Sequence, residues 1–254
     1  MLTSQRKNEI LATLKAQGQV VAKVLSEHYG VSEDTIRRDL REMAADGLLQ
    51  RVHGGALPAS PATGGMAERH ALSGSAKEAI GAAAAALVLP GQTVLIDGGT
   101  TALQLVRQLP LQLQATVVTH SPTIAVALEQ HVDIEVIIIG GRLFRHSMVA
   151  VGAAAIEALG HIRADTYFMG VTGVHLRAGL STGDMEEAYV KRALAAQSAE
   201  TVVLASAEKL HAASRFKIGD IASAASMVVE HDTAADFIAE LAQCGVTVVV
   251  AEKN

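Results

Sequence analysis

Three arginines in Ser32-Glu33-Asp34-Thr35-Ile36-Arg37-Arg38-Asp39-Leu40-Arg41, with a fourth in Arg51-Val52-His53-Gly54-Gly55-Ala56, are residues whose types point to chemistry rather than packing. Guanidinium groups pair with phosphates and with the acceptor edges of bases, and hydroxyls such as those of Ser32 and Thr35 suit the same partners. A second set, Asp97-Gly98-Gly99-Thr100-Thr101, places glycines and hydroxyls where a strand gives way to a helix. Unpaired amides, the helix dipole and two hydroxyls then face outward together, which makes a cradle for a phosphate or carboxylate. It lacks the Gly-Lys-Ser/Thr ending of a P-loop, and the chain has no G-x-G-x-x-G dinucleotide fingerprint. Each set also fits a plainer reading. The first fits a solvated helix face with i, i+4 pairs such as Arg38 with Glu42; the second fits a tight turn followed by an N-cap.

The elements that must position the first set are legible. Ile36, Leu40 and Met43 recur at i, i+4 and i+7 and share one buried helix face, leaving Thr35, Arg37, Arg38 and Arg41 mainly toward solvent. Ser32 is placed to cap this helix, Glu33 and Asp34 sit near its positive end, and Gly47 is placed to stop it. Upstream, Ile10, Leu11 and Leu14 predict a first helix ending at Gly18, and Val24, Leu25 and Tyr29 a short second one ending at Gly30. Three helices with a tight turn before the third predict a helix-turn-helix. A short strand over 48–52 and a turn at His53-Gly54-Gly55 add a winged hairpin. Residues 1–57 therefore read as a domain that binds double-stranded DNA, with Ser32, Thr35, Arg37, Arg38, Arg41, Arg51 and His53 as its contact residues.

The net charge of −5 is unevenly spread: residues 1–58 carry eight Lys/Arg against seven Asp/Glu, and the remainder thirteen against nineteen. A local basic face with a modest total suits site-specific binding by a dimer better than general coating of nucleic acid. Half the chain is hydrophobic with few aromatics and no Trp, which favours an α/β core built from Ala, Val, Leu and Ile. Cys244 stands alone, excluding an internal disulfide and a cysteine-clustered zinc site, and the ten histidines lack a paired helical spacing. No metal, cofactor or membrane contact is expected, and a reducing cytoplasm is the expected location.

Residues 58–75, which begin Pro58-Ala59-Ser60-Pro61-Ala62-Thr63-Gly64-Gly65, have the composition of a linker. Beyond it, 76–89 reads as an alanine-rich helix. From 93 onward short apolar runs at 93–96, 116–119, 134–139, 166–169, 201–205, 227–229 and 246–250 alternate with helical stretches at 102–108, 124–130, 186–196 and 234–243. That alternation predicts a mostly parallel sheet covered on both faces, the fold of an α/β domain over 76–254. Glycines, hydroxyls and basic residues follow the predicted strands: Gly98 to Thr101, His120, Gly141 and Arg142, Gly170, and Lys209. The carboxyl ends of neighbouring parallel strands share one rim, where ligands bind.

At this point a resemblance becomes specific. The run Val31-Ser32-Glu33-Asp34-Thr35-Ile36-Arg37-Arg38-Asp39-Leu40, followed by Arg51-Val52-His53-Gly54-Gly55-Ala56, resembles the signature of the DeoR family of bacterial transcription regulators. Lys77, Gly98-Gly99-Thr100-Thr101, Gly140-Gly141 and Gly179-Leu180-Ser181-Thr182 resemble that family's sugar-phosphate sensor half, which is similar in fold to ribose-phosphate isomerases and coenzyme A transferases. The resemblance implies that Thr100 and Thr101, with the amides of Gly98 and Gly99, hold a phosphate. It makes Lys77, Arg142, Lys191 and Lys209 candidates to neutralise it, and Asp97 and Glu186 candidates to accept from sugar hydroxyls. His120, Gly141, Gly170 and Thr182 complete the implied effector site.

Plainer roles stand beside these: Lys191 follows Glu187 by four residues, and Asp184 and Glu187 are spaced as an N-cap and its partner. The family commonly has an Asp in the segment that here reads Ala205-Ser206-Ala207-Glu208-Lys209, and an Asn where His120 stands, so the ligand differs from that of familiar members if these positions touch it. The implied function is a repressor of carbohydrate-metabolism genes, a homodimer or homotetramer whose operator affinity changes with a bound phosphorylated sugar or related small anionic metabolite. The competing reading is a sugar-phosphate isomerase with a DNA-binding head, using Asp97 or Glu186 as general base.

Overall fold

The computed structural model describes residues 2–63, 65, 68–69 and 74–253. Helices α1 (Thr3–Gln17), α2 (Ala22–Tyr29) and α3 (Glu33–Ala45) pack over buried Ile10, Leu14, Leu25, Ile36, Leu40 and Met43. Ser32 caps α3 by accepting the Thr35 amide at 3.2 Å, and Gly47 takes φ 73° just beyond its end, as the spacing predicts. One apolar assignment differs: Val24 is 60% exposed, and Ala22 with Leu25 makes the buried face of α2.

Strands β2 (Leu49–Val52) and β3 (Gly55–Pro58) form the wing, and β1 (Val20–Val21) pairs antiparallel with β3. Two residues are too few to leave a period in the sequence. Yet β1 explains the second glycine of the wing turn, because a Cβ on Gly55 would sit 1.9 Å from the Val20 carbonyl oxygen. A polar contact also crosses this small core: Arg6 on α1 donates to Asp39 on α3 at 2.6 Å, with both side chains buried.

The seven apolar runs read from the sequence are the seven strands of one parallel sheet: β4 (Thr93–Ile96), β5 (Ala115–Thr119), β6 (Ile134–Ile138), β9 (Ala164–Gly170), β12 (Ser198–Leu204), β14 (Ser226–Val229) and β15 (Thr247–Val250). Their spatial order is β15-β14-β12-β9-β4-β5-β6. Alternate residues enter opposite cores. Val94 and Ile96 pack with Phe168, Val202 and Leu204 beneath α4 (Gly74–Ala85), α5 (Thr100–Gln108) and α6 (Pro122–Ala127). Leu95 packs with Tyr167, Met169 and Val203 beneath α7 (Ala153–Leu159), α8 (Met185–Ala196) and α9 (Ala235–Gln243). Burial on both faces is why the inner strands read as continuous apolar runs, whereas β6 at one edge is apolar with Val136, Ile137 and Ile138 exposed.

Three additions have no counterpart in the sequence reading: α7, the hairpin β7 (Arg142–Phe144) with β8 (Val149–Val151), and an antiparallel sheet of β10 (Gly173–His175), β11 (Gly179–Thr182) and β13 (Phe216–Gly219). The strands among them span three or four residues, too short for periodicity to register.

The start of the expected linker is not solvated. Pro58 ends β3, Ala59 bridges to Ala213, Ser60 is buried and donates its hydroxyl to the Thr172 carbonyl, and Ala62 is buried. Residues 64, 66–67 and 70–73 of that stretch lie outside the described residues.

The Arg6 and Asp39 pair yields a prediction. Removing one partner strands a buried charge, so Asp39→Ala is expected to destabilise the winged helix by roughly 3 kcal/mol. Hydrogen exchange of the α1 to α3 amides in the full chain reads this; a change within about 0.5 kcal/mol, the range of ordinary surface substitutions, counts against the pair as a stabilising contact.

Candidate functional site

On the winged helix, α3 and the wing turn frame a shallow concavity lined by Arg37, Leu40, Arg51, Val52 and His53 to Gly55. Ser32 and Thr35 share a hydroxyl hydrogen bond at 2.9 Å, so both are engaged in capping α3. Arg37 pairs with Glu33 at 2.6 Å on the same exposed face. The pair of Arg38 with Glu42 does not form; Glu42 instead accepts from Lys7 on α1 at 2.7 Å. Arg38, Arg41, Arg51 and His53 are exposed, and among the described residues no ion pair ties up any of the three arginines. Of the sequence candidates, these four are the side chains left open to a partner.

In the α/β domain the chain builds a cleft at the carboxyl ends of the parallel strands. Gly98 and Gly99 leave β4, and Thr100 and Thr101 open α5, so free first-turn amides point into it. A Cβ on Gly98 would come within 2.2 Å of Val149 Cγ1, so only glycine lets this turn pass under the β7 and β8 hairpin. The remaining walls are Lys77 from α4, Gly170 at the end of β9 with Val171 and Thr172 beyond it, and Thr182 at the end of β11. Glu187 and Lys191 from α8, Glu208 and Lys209 after β12, and Ala62 and Arg69 from the interdomain stretch complete it. Lys209 Nζ donates to Thr101 Oγ1 at 3.2 Å, and Lys77 Nζ lies 3.8 Å from Glu208.

Behind the cleft sits Asp97, fully buried. One carboxylate oxygen accepts the Gly98 amide at 2.8 Å and faces His120 Nε2 at 2.8 Å; the other accepts the Tyr167 hydroxyl at 3.0 Å, the Gly170 amide at 2.9 Å and the Lys191 ammonium. Burial opposes its ionisation, but the charge of Lys191 and the hydrogen bonds from His120 and Lys191 outweigh that and hold Asp97 well below the usual carboxylate range. Burial also opposes charge on Lys191, yet Asp97 and Glu187 raise its pKa above the ordinary lysine value. Tyr167 is pushed well above the phenol range by burial and by Asp97.

This geometry corrects five expectations. Asp97 does not line the cleft, because all its acceptor capacity points into the protein. His120 is buried beside it, bridging Asp97 and the Ala150 carbonyl at 2.9 Å, and it too is sealed from the cleft. Glu186 also lies off the cleft lining, where its neighbour Glu187 takes the wall position, hydrogen-bonded to the Thr182 hydroxyl. Gly141 and Arg142 are exposed at the start of β7, away from the lining.

Lys77, Gly98, Gly99, Thr100, Thr101, Gly170, Thr182, Lys191 and Lys209 are brought together. The plainer roles coexist with this: Lys191 lies 3.7 Å from Glu187, and Asp184 accepts the Glu187 amide at 2.9 Å as the N-cap of α8. The sequence reading missed Arg69, Glu187 and Glu208 as walls. Arg69 and Glu187 follow no predicted strand, and Glu208 stands beside Lys209 in a segment where only the basic residue is expected to meet an anion.

The cleft gathers four cations, Arg69, Lys77, Lys191 and Lys209, against Glu187 and Glu208. Burial lowers the pKa of Lys77, with Glu208 opposing. Burial pushes Lys209 down to about 8; Glu208 opposes this and the charges of Lys77, Arg69 and Lys191 add to it. Burial works against the Glu208 carboxylate, but Lys209 and the Ser206 hydroxyl keep its pKa below normal.

A winged helix-turn-helix with open arginines, joined to an α/β domain with a buried cationic cleft, defines a DNA-binding regulator with a ligand-sensing half. Residues 6–61 match the model of the DeoR-like helix-turn-helix domain, and residues 73–231 that of the DeoR C terminal sensor domain. The chain belongs to the DeoR family of transcription regulators. It is 33% identical to the HTH-type transcriptional regulator GlpR of Haloferax volcanii, over 98% of each chain. It is 32% identical to the glycerol-3-phosphate regulon repressor of Escherichia coli, over 87% of this chain and 88% of that one. Among solved structures it is similar to ribose 5-phosphate isomerase A of Methanocaldococcus jannaschii, with 19% identity over 53% of each chain and a TM-score of 0.40.

Asp97→Asn is expected to destabilise the protein by roughly 3 kcal/mol at neutral pH, because it leaves the buried Lys191 with only the more distant Glu187, at 3.7 Å, as a counterion. Since the folded pKa of Asp97 is depressed, its contribution is complete above the ordinary carboxylate pKa of about 3.9 and fades as pH falls below it. Urea denaturation of both proteins at neutral pH and near pH 3 checks this; a gap that does not shrink in acid contradicts it.

Proposed function

We propose that this protein is a repressor of carbohydrate-metabolism genes. Its α3 and wing grip an operator, and a phosphorylated sugar or polyol in the cleft changes that grip. The observation that carries this reading is the α5 N-terminus facing four buried or half-buried cations, an arrangement suited to a compact anion. The name of one relative, the glycerol-3-phosphate regulon repressor of Escherichia coli, supports the same ligand class. Glu187, Thr172 and Thr182 supply acceptors and hydroxyls for the unphosphorylated part of such a ligand. The isomerase reading has lost both of its named bases to geometry, since Asp97 is sealed and Glu186 lies off the cleft. A homo-oligomer is part of the proposal, because paired half-sites multiply the specificity of one helix in one groove. So is a cytoplasmic location; among the described residues no helix is long and apolar enough to cross a membrane.

A ligand alters DNA affinity only by binding one arrangement of the domains better than another. Two contacts offer the coupling. The hairpin of β10 and β11 contributes Thr182 to the cleft, and near its tip Arg177 reaches Gln19 of the winged helix at 3.5 Å. At the base of the same hairpin, Thr172 lines the cleft and accepts the Ser60 hydroxyl of the interdomain stretch.

Two measurements test the halves separately. Full-length protein should bind its own upstream DNA, and Arg38→Ala should either relax base preference by about 1–3 kcal/mol or lower affinity uniformly with a smaller salt slope, depending on whether Arg38 meets a base or a phosphate. Fluorescence anisotropy across a salt series distinguishes these, and no change in affinity or slope removes α3 as the reading helix. For the cleft, an anion beside Lys209 raises its pKa from about 8. Binding of sn-glycerol 3-phosphate should therefore take up a proton at about pH 8.5, and affinity should fall as pH rises further toward the ordinary lysine range near 10.4. Calorimetry in two buffers of different ionisation enthalpy reads the uptake; binding with no proton linkage places the anion elsewhere.

A further inference from the structure

We propose that the open edge of β6 is a contact surface for a second copy of this chain, the two β6 strands pairing antiparallel about a two-fold axis. The inference rests on the reading of the protein as a homo-oligomer and adds to it the surface and the orientation. β6 ends the seven-stranded sheet, with β5 on one side and, among the described residues, no strand on the other. Strands of a parallel sheet are ordinarily covered on both faces. Here four of the five residues of β6 are exposed, Val136, Ile137 and Ile138 among them. Val126 on α6, which packs against β6, and Val132 in the turn before the strand extend the same border, so five large aliphatic side chains within residues 126–138 lie 36–85% open to water. The opposite edge differs, because β15 keeps Val248 and Val249 half-buried.

Area, hydrogen bonding and charge together select a second copy as the occupant. A fully exposed Val or Ile side chain presents on the order of 100 Å², so these five leave about 300 Å² of apolar surface open, over a third of the roughly 800 Å² that each partner of a stable dimer buries. The polar remainder is already in place. Ile139 donates its amide inward to the Thr119 carbonyl, and strand alternation turns the amides and carbonyls of Val136 and Ile138 outward, where an antiparallel strand can bond them. Charge sets the direction. Asp133 and Glu135 lie at the start of β6 and Arg142 follows its end, all three exposed and none held in an ion pair among the described residues. A two-fold axis between Ile137 and Ile138 brings the acidic start of one strand toward the partner's Arg142, whereas parallel pairing sets like charges side by side. The edge is therefore complementary to itself, as a two-fold contact requires.

The orientation has a consequence for the assembly. All strands of the large sheet run parallel and the cleft lies at their carboxyl ends, so antiparallel pairing directs the two clefts to opposite ends of the joined sheet. The winged helix docks at that same end, through Arg177 with Gln19 and Ser60 with Thr172. The contact therefore joins chains whose DNA-reading parts face apart, and it is separate from the one that brings two winged helices onto neighbouring half-sites.

The test is sedimentation velocity of the full chain over a range of micromolar concentrations, with far-UV circular dichroism to confirm that each variant folds. Ile138→Lys places a charge on the apolar edge, and Ile138→Pro removes an outward amide; each should weaken association at least about tenfold while the fold is kept. Arg142→Asp should weaken it too, and adding Asp133→Arg to that variant should recover it. If the Ile138 variants separate the chains but the exchanged pair recovers nothing, the antiparallel orientation is overturned. If the wild type is a monomer at every concentration, the homo-oligomer reading falls, and this inference with it. If the wild type is an oligomer that every folded variant leaves intact, that reading stands and the β6 contact is refuted, with the alanine-faced groove between α4 and β15 the next surface to probe.

Discussion

One buried carboxylate organises the ligand-sensing half. Asp97 ends a central strand, and a lone charge there would be prohibitively expensive. It is tolerated because donors arrive from every side: the turn after its own strand, His120 beyond β5, Tyr167 within β9, the Gly170 amide at that strand's end, and Lys191 on α8. Those donors belong to neighbouring strands and to the helix that covers them. Satisfying the carboxylate therefore fixes the Gly98 turn, the Gly170 turn and α8 relative to one another, and these are walls of the cleft. The cationic cleft is thus held by an anion the protein carries itself, one layer deeper.

The chain handles two anionic partners in different electrostatic regimes. On α3 and the wing the arginines are exposed, so their attraction is long in reach at low ionic strength and strongly screened by salt. In the cleft the cations are largely withdrawn from water, where each interaction is stronger and each unpaired charge more costly. Burial, with the neighbouring cations adding to it, pushes Lys209 down to about 8. A protein of net charge −5 can thus bind polyanionic DNA through a few exposed groups and still concentrate positive charge in its interior.

Much of this was legible in the residues. All seven strands are legible as continuous apolar runs, the inner ones because both faces are buried and the edge strand β6 although most of it is exposed, and α3 is legible because Ile36, Leu40 and Met43 keep a strict helical period. The glycines and threonines after β4 were recognisable because an anion cradle requires small residues and hydroxyls in sequence. What escaped was set by tertiary contact. Asp97 looked like a ligand group because it adjoins the cradle; only the fold shows it turned inward. Glu186 and Glu187 are adjacent, and which one faces the cleft depends on the rotation of α8 about its axis, a matter of one residue in phase. Arg142 follows a glycine pair as a rim residue would, but β7 turns away from the parallel sheet. Arg69 and the buried Ser60 lie in a stretch whose composition spells flexible connection, and their order comes from partners more than seventy residues distant.

That docked stretch has a consequence for the order in which the protein comes into being. The winged helix closes its core from residues before 58, with short sequence separations that favour rapid folding during synthesis. Ser60 must wait for Thr172, 112 residues later, and Ala59 for Ala213. The emerging chain therefore holds a complete DNA-reading module well before the part that governs it exists. A fragment ending anywhere in that interval would carry the DNA-reading fold without the cleft that governs it.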